Sequence, residues 1–242
     1  MKCLVFDSGP VISLSLNNLL WLIAKLRKEF GGHFLISRSV EKELIDNPLN
    51  RTKRFILEAL NVMSLVASGD LNVARAEGIK EIYDKIDHST NKAFSSGDSY
   101  ITLMHPGEIE TIAITIKYKA EAIVVDERNT RLLIEEPRAL KRILEKKLHR
   151  KINMEKYRIK EFQDLVKDVK VIRSAELVAV AYEKGILQSS FPDEVRKIER
   201  EFDKHLLEGV LWGVKLRGCS VSDHEIEAMK KSVMKAWKNQ KL

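Results

Sequence analysis

Cys3-Leu4-Val5-Phe6-Asp7-Ser8-Gly9-Pro10 is a short apolar run that stops on an acid and a turn-forming trio. Four apolar residues closed by Gly and Pro fit a buried strand with a tight turn at its exit. The pattern returns later, where Ala122-Ile123-Val124-Val125 runs into Asp126. Strands that are apolar at every position, not at alternate ones, are those covered on both faces, as in a parallel sheet. Two such strands, each delivering a carboxylate at its C-terminal end, point to the α/β class.

Between them, strands and helices alternate. Leu19, Ile23, Leu26 and Phe30 recur at helical spacing after Asn17-Asn18, and Gly31-Gly32 stops that helix. His33-Phe34-Leu35-Ile36 is the next strand. Ser39 as an N-cap predicts a short helix through Glu43 to Ile45, ended near Asn47-Pro48. Arg51 to Met63 reads as helix, with Asn61 to Val66 open as a short strand; Val73 to Ile86 is a further helix, and Ser95-Ser96-Gly97-Asp98 a loop. Ile109, Ile112, Ala113 and Ile116 form an i, i+3, i+4, i+7 stripe after Pro106-Gly107. This rhythm implies right-handed crossovers and a parallel sheet covered by helices. From Pro137 onward the chain becomes mostly helical and Lys-rich. One short strand is expected within Val169-Lys170-Val171-Ile172, a helix over Ala175 to Lys184 closed by Gly185, and a capping box at Ser222-Asp223-His224-Glu225 opening the last helix. Two units are therefore expected, 1–136 and 137–242.

The charge divides at the same place. Residues 1–136 hold 17 Lys and Arg against 19 Asp and Glu, whereas 137–242 hold 25 against 16. A near-neutral half with clustered acids beside a basic half suits a catalytic unit next to a polyanion-binding surface; a solvated, Lys-rich helical face explains the second half equally well. Cys3 and Cys219 lie too far apart to suggest a disulfide framework, and two cysteines cannot make a zinc-ribbon set, so a reduced, cytoplasmic setting is expected. The N-terminal apolar run is too short for a signal peptide, and Leu19 to Leu26, broken by Lys25, is too short to span a bilayer. Abundant Lys, Glu and Arg with little Gln lean towards a thermophilic composition. No Gly-rich dinucleotide or P-loop signature is present, and Asp7 lacks the second acid two positions on that a phosphoacceptor site would carry.

Four acids stand out by position. Asp7 and Asp126 end strands, Glu108 opens the helix leading into the Asp126 strand, and Glu43 sits on the short helix after the second strand. Ligands of open parallel sheets bind outside the carboxyl ends of the strands, so the four can converge on one pocket. Carboxylates brought together raise one another's pKa values unless a cation intervenes. Oxygen donors without Cys or His spacing select Mg²⁺ or Mn²⁺, and such a metal can generate hydroxide and stabilise a leaving oxygen in phosphodiester cleavage. Taken singly, each acid also has an ordinary explanation as a turn residue, a helix-dipole partner or a solvated charge.

In these stretches the chain resembles the PIN-domain family of VapC-like nucleases. The similarity lies in Leu4-Val5-Phe6-Asp7-Ser8-Gly9-Pro10-Val11-Ile12, in Val40-Glu41-Lys42-Glu43, in Gly107-Glu108-Ile109-Glu110-Thr111-Ile112-Ala113, and in Ile123-Val124-Val125-Asp126-Glu127-Arg128-Asn129-Thr130-Arg131, and covers roughly residues 1–135. The resemblance implies a three-layer α/β/α domain with a central parallel sheet, here followed by a mostly helical C-terminal region. It implies a Mg²⁺- or Mn²⁺-dependent endoribonuclease cutting single-stranded RNA, as in toxin–antitoxin systems, with an antitoxin-like protein as partner and a homodimer as assembly. Asp7, Glu43, Glu108 and Asp126 would hold the metal, with Glu41, Glu110 and Glu127 as rivals of their neighbours and Ser8 in support. The alternative is a PIN-like protein that binds RNA, or acts as a scaffold, without cutting.

Lys141-Arg142, Lys146-Lys147 and His149-Arg150-Lys151 lie along one helical stretch. Arg131, Lys146, Lys147, Arg150 and Lys151 are the expected phosphate contacts, with binding that weakens as salt rises; local pairing with Glu145 is the ordinary explanation. Trp212 and Trp237 fall at core spacing with Leu211, Val214 and Val233 and read as packing residues.

Overall fold

A computed structural model describes residues 1–240 of the chain. Its strands are β1 (Cys3–Phe6), β2 (His33–Ile36), β3 (Asn72–Val73), β4 (Phe94–Ser96), β5 (Ser99–Tyr100), β6 (Ala122–Val124), β7 (Asn153–Met154) and β8 (Val171–Ile172). Five of them form one sheet in the order β3-β2-β1-β6-β8, every pairing parallel. The chain builds outward from β1 through β2 to β3, then returns to the other side of β1 for β6 and β8. Strand order therefore reverses between β1 and β6, and that switch point opens a crevice at the strands' carboxyl ends.

Pleating sends alternate residues to opposite faces. Leu4 and Phe6 of β1 enter one core, with Val11, Leu14, Ile23, Leu177, Leu211 and Ile226. Cys3 and Val5 enter the other, with Ile86, Ile112, Leu133, Leu140 and Phe162. Helices thus cover both faces of the sheet, which is why these strands lack polar alternation.

The boundary expected at 136/137 runs through this shared packing. β8, beyond it, hydrogen-bonds to β6, and Val178, Leu211 and Val233 share a core with Phe6 and Leu14. Residues 137–240 complete the sheet and both cores that residues 1–136 begin.

Several local expectations hold. Gly31, at φ 64°, caps the helix Leu22–Phe30 in the left-handed region, and a side chain on Gly32 would lie 2.5 Å from the Lys2 carbonyl oxygen. The Ser222 capping box forms as read: the Ser222 N–H donates to Glu225 Oε2 at 2.8 Å, and the Glu225 N–H donates to Ser222 Oγ at 3.2 Å. Elsewhere the details shift. Ser37, not Ser39, caps the helix Arg38–Glu41, accepting from the Val40 N–H at 3.0 Å. Asn61 to Val66 lies inside the helix Ile56–Ala67 because Ala59 and Val62 bury at helical spacing. Val73 is drawn into β3, Gly78 turns the chain at φ 73°, and the following helix runs Lys80–Asn91. The expected loop at 95–98 is a hairpin, β4 and β5 turning at Gly97 (φ 60°), and β7 joins it in a small antiparallel sheet. Among the described residues no helix is long and apolar enough to cross a membrane.

Candidate functional site at the β1/β6 exit

Asp7 follows β1 directly and occupies the N-cap position of the helix Ser8–Leu16. Its backbone N–H is bonded to the Val124 carbonyl at 2.9 Å, which ties the β1 exit to β6. Asp126 lies two residues past the end of β6. Gly9 lies between the two acids, its Cβ position 3.5 Å from Asp126 Cβ and 3.8 Å from Asp7 Oδ2, both ordinary contacts. Together with Ser8, Glu43, His105, Glu108, Glu127, Asn129 and Gly218, these residues line an open cleft of about 460 Å³. All four acids expected from the strand exits are therefore in one place.

Their environments differ. Burial pushes the Asp7 carboxyl up to about 7; the charges of Glu108 and Glu43 add to that rise, and the N–H groups of Ser8 and Gly9 oppose it. Asp7 is 7% exposed, so its negative form lacks both water and a counter-charge. Glu43 stands exposed on a π-helical turn (Lys42–Asp46), an irregularity that recurs at functional sites. Glu108 is in the first turn of the helix Pro106–Tyr118. One of its oxygens accepts the His105 N–H at 2.8 Å and the other the Thr130 hydroxyl, so the side chain is held in place from two elements.

Asp126 is buried, and its acceptors are taken. Oδ1 accepts the Ser174 N–H at 2.8 Å, while Oδ2 accepts the Ser13 and Ser174 hydroxyls, each at 2.7 Å. The carboxylate sits at the N-terminus of the helix Ser174–Glu183, where backbone N–H groups favour a negative charge. Its charge adds to burial in pushing the neighbouring Cys219 thiol up to about 12. Asp126 thus pins β6, the first helix and the helix after β8 together beneath the cleft floor. Ser13 and Ser174 were not anticipated. The available signal was positional: Ser174 follows β8 as Ser8 follows β1, and neighbouring parallel strands bring their exits side by side.

The rival acids separate. Glu127 lines the cleft as N-cap of the helix Arg128–Glu135. Glu110 points elsewhere, accepting the Ser39 N–H at 3.0 Å and so capping a neighbouring helix. Arg131 lies outside the cleft and reaches Glu135 at 3.3 Å. Lys146 and Lys147 end the helix Pro137–Leu148, and Arg150 and Lys151 follow it; all four are exposed and none lines the cleft. Among the described residues, no group of three or more Asp, Glu, His or Cys side chains is placed to hold a metal ion. No protein-family model, curated protein or solved structure matches the chain.

Proposed function

We propose that the chain is a metal-dependent, PIN-like ribonuclease that hydrolyses phosphodiester bonds of single-stranded RNA. One observation carries this: Asp7, Glu43, Glu108 and Asp126 all line one open cleft, where strand order reverses between β1 and β6. Convergent carboxylates at such a crevice have one common chemical use, to hold a hard divalent cation against a phosphate.

The donor chemistry suits Mg²⁺ or Mn²⁺. Asp7, Glu43 and Glu108 would hold the ion, while Asp126, with both oxygens accepting serine donors, acts as a buttress. When bound, the ion would acidify a water and neutralise charge on the scissile phosphate. The protein's own share is positional. His105 and Thr130 fix Glu108, the backbone N–H groups of Ser8 and Gly9 face Asp7, and Ser8 and Asn129 offer hydrogen-bonding groups on the cleft wall. The antitoxin-like partner and the homodimer rest on the resemblance alone.

Incubation of end-labelled single-stranded RNA with the protein and Mn²⁺ or Mg²⁺ tests the proposal. Cleavage that EDTA and Asp7→Asn both abolish is expected; identical products from wild type and Asp7→Asn would overturn it. A second reading, RNA binding without cleavage, draws on the carboxylate of Asp126, whose two oxygens already accept three serine donors. Salt-sensitive binding that survives EDTA, with intact RNA throughout, would favour it.

A further inference from the structure

The helix Arg128–Glu135 links the acid cleft to a second concavity. Asn129 near its start lines the cleft, and Glu135 at its end lines a groove of about 570 Å³. Six residues of helical rise separate them, roughly 9 Å. The groove runs between the helices Pro137–Leu148 and Lys156–Val166. Arg138 and Arg142 stand on one wall and Lys156 and Lys160 on the other, each pair at i, i+4 spacing and all exposed. Among the described residues none of these four cations has an ion-pair or side-chain hydrogen-bond partner. Of the two acids at the groove, Glu135 is already paired with Arg131 at 3.3 Å, which leaves Glu136 against four cations.

Unpaired cations at regular spacing on two facing helices match a linear polyanion, and a concave track excludes a flat lipid surface. Tyr157, 78% exposed and next to Lys156 in sequence, does not line the groove itself but supplies, one residue from its wall, an unpacked aromatic face of the kind on which unpaired bases stack. We propose that this groove is a track for single-stranded RNA, its phosphates held between Arg138 and Arg142 on one side and Lys156 and Lys160 on the other. The inference rests on the proposed function only for the identity of the strand; the cation pairs and the groove stand without it. It also replaces the expected phosphate contacts, since Lys146, Lys147, Arg150 and Lys151 lie outside this track.

The test is fluorescence anisotropy of a labelled oligouridylate with the full chain in EDTA, across a range of salt. Arg142→Glu combined with Lys160→Glu is expected to weaken binding at least tenfold and to lower the salt slope by about 1.4, at about 0.7 per single-strand phosphate contact. Lys146→Glu with Lys147→Glu should change affinity less than threefold. Tyr157→Ala should weaken the oligouridylate but leave heparin binding unchanged. Unaltered binding by the Arg142/Lys160 pair, an equal loss from the Lys146/Lys147 pair, or displacement by polyglutamate as effective as by unlabelled RNA would overturn the proposal. Should the double reversal fail to fold by circular dichroism, Arg142→Gln and Lys160→Gln carry the same comparison singly. Intact groove binding without any cleavage in Mn²⁺ would reject the nuclease alone, and cleavage without groove dependence would reject the track alone.

Discussion

Ser174 makes two hydrogen bonds to Asp126, its N–H donating to Oδ1 at 2.8 Å and its hydroxyl to Oδ2 at 2.7 Å. The two residues are 48 apart in sequence, and their bond joins the exits of the adjacent strands β6 and β8. A carboxylate meets three donors here without a basic side chain, so its role is first structural and only then electrostatic.

Replacement at this junction should show in stability. Asp126→Asn can keep its oxygen on the Ser174 N–H and turn its amide nitrogen to the two hydroxyls, but it loses the charge-assisted character of all three bonds and the charge at the helix N-terminus, at a cost of about 1–2 kcal/mol. Ser13→Ala removes a single bond and should cost about 1 kcal/mol. Urea denaturation measures both, and an Asp126→Asn protein as stable as wild type would contradict the assignment.

Asp7 gives a pH dependence of definite sign. Its folded pKa of about 7 lies above the ordinary 3.8, so between those values the folded state binds more protons than the unfolded one. Stability therefore falls as pH rises from about 4 to about 7 and then levels. In EDTA, Asp7→Asn should remove this decline and be more stable than wild type at pH 8 by on the order of 3 kcal/mol. Parallel pH profiles for the two proteins would refute it.

Glu225 acts in the opposite sense. Burial pushes its carboxyl up, but the N–H and hydroxyl of Ser222 and the Arg173 guanidinium outweigh that and hold it at about 2. Its contribution is present above about 4.5 and is lost as pH falls towards 2. Discounted for a side chain 37% exposed, Glu225→Gln should cost about 1–2 kcal/mol at pH 7. The difference from wild type should vanish at pH 2 in chemical denaturation.

Neighbouring acids should separate by assay. Glu43→Gln and Glu108→Gln are expected to lose RNA cleavage at least tenfold. Glu110→Gln should retain cleavage and lower the melting temperature, because its carboxylate caps the Arg38 helix. Cleavage abolished by Glu110→Gln in a folded protein would exchange the roles of Glu108 and Glu110.

Two adjacent glycines should respond unequally. Gly31→Ala meets open space at φ 64° and should cost about 1 kcal/mol. Gly32→Ala drives a methyl to 2.5 Å from the Lys2 carbonyl and 2.6 Å from the Phe30 ring, and should cost about 2–4 kcal/mol. Thermal melts of the two variants would rank them.

Much of the frame was legible because it is written in local patterns. The runs Cys3–Phe6, His33–Ile36 and Ala122–Val124 are apolar at successive positions and became β1, β2 and β6. The stripe Ile109, Ile112, Ala113 and Ile116 fell on a helix as read, although that helix is buried at every position from Ile109 to Thr115 and only half-buried at Ile116. Where apolar pattern was weak, at 68–107, local reading set the wrong helix limits and missed the hairpin around Gly97, whose pairing with β7 depends on a segment more than 50 residues away.

From sequence alone, the strands β1, β2 and β6 and the acids after β1 and β6 can be read, because strand length, turn residues and hydrophobic period act over a few neighbours. Tertiary structure decided which acids meet and what each one faces. Only the strand order sets Asp7 beside Asp126, brings Ser174 under the latter, turns Glu110 to Ser39, and leaves Asp7 buried between Glu43 and Glu108. Side-chain orientation and desolvation arise from packing between elements remote in the chain, and no local pattern encodes them.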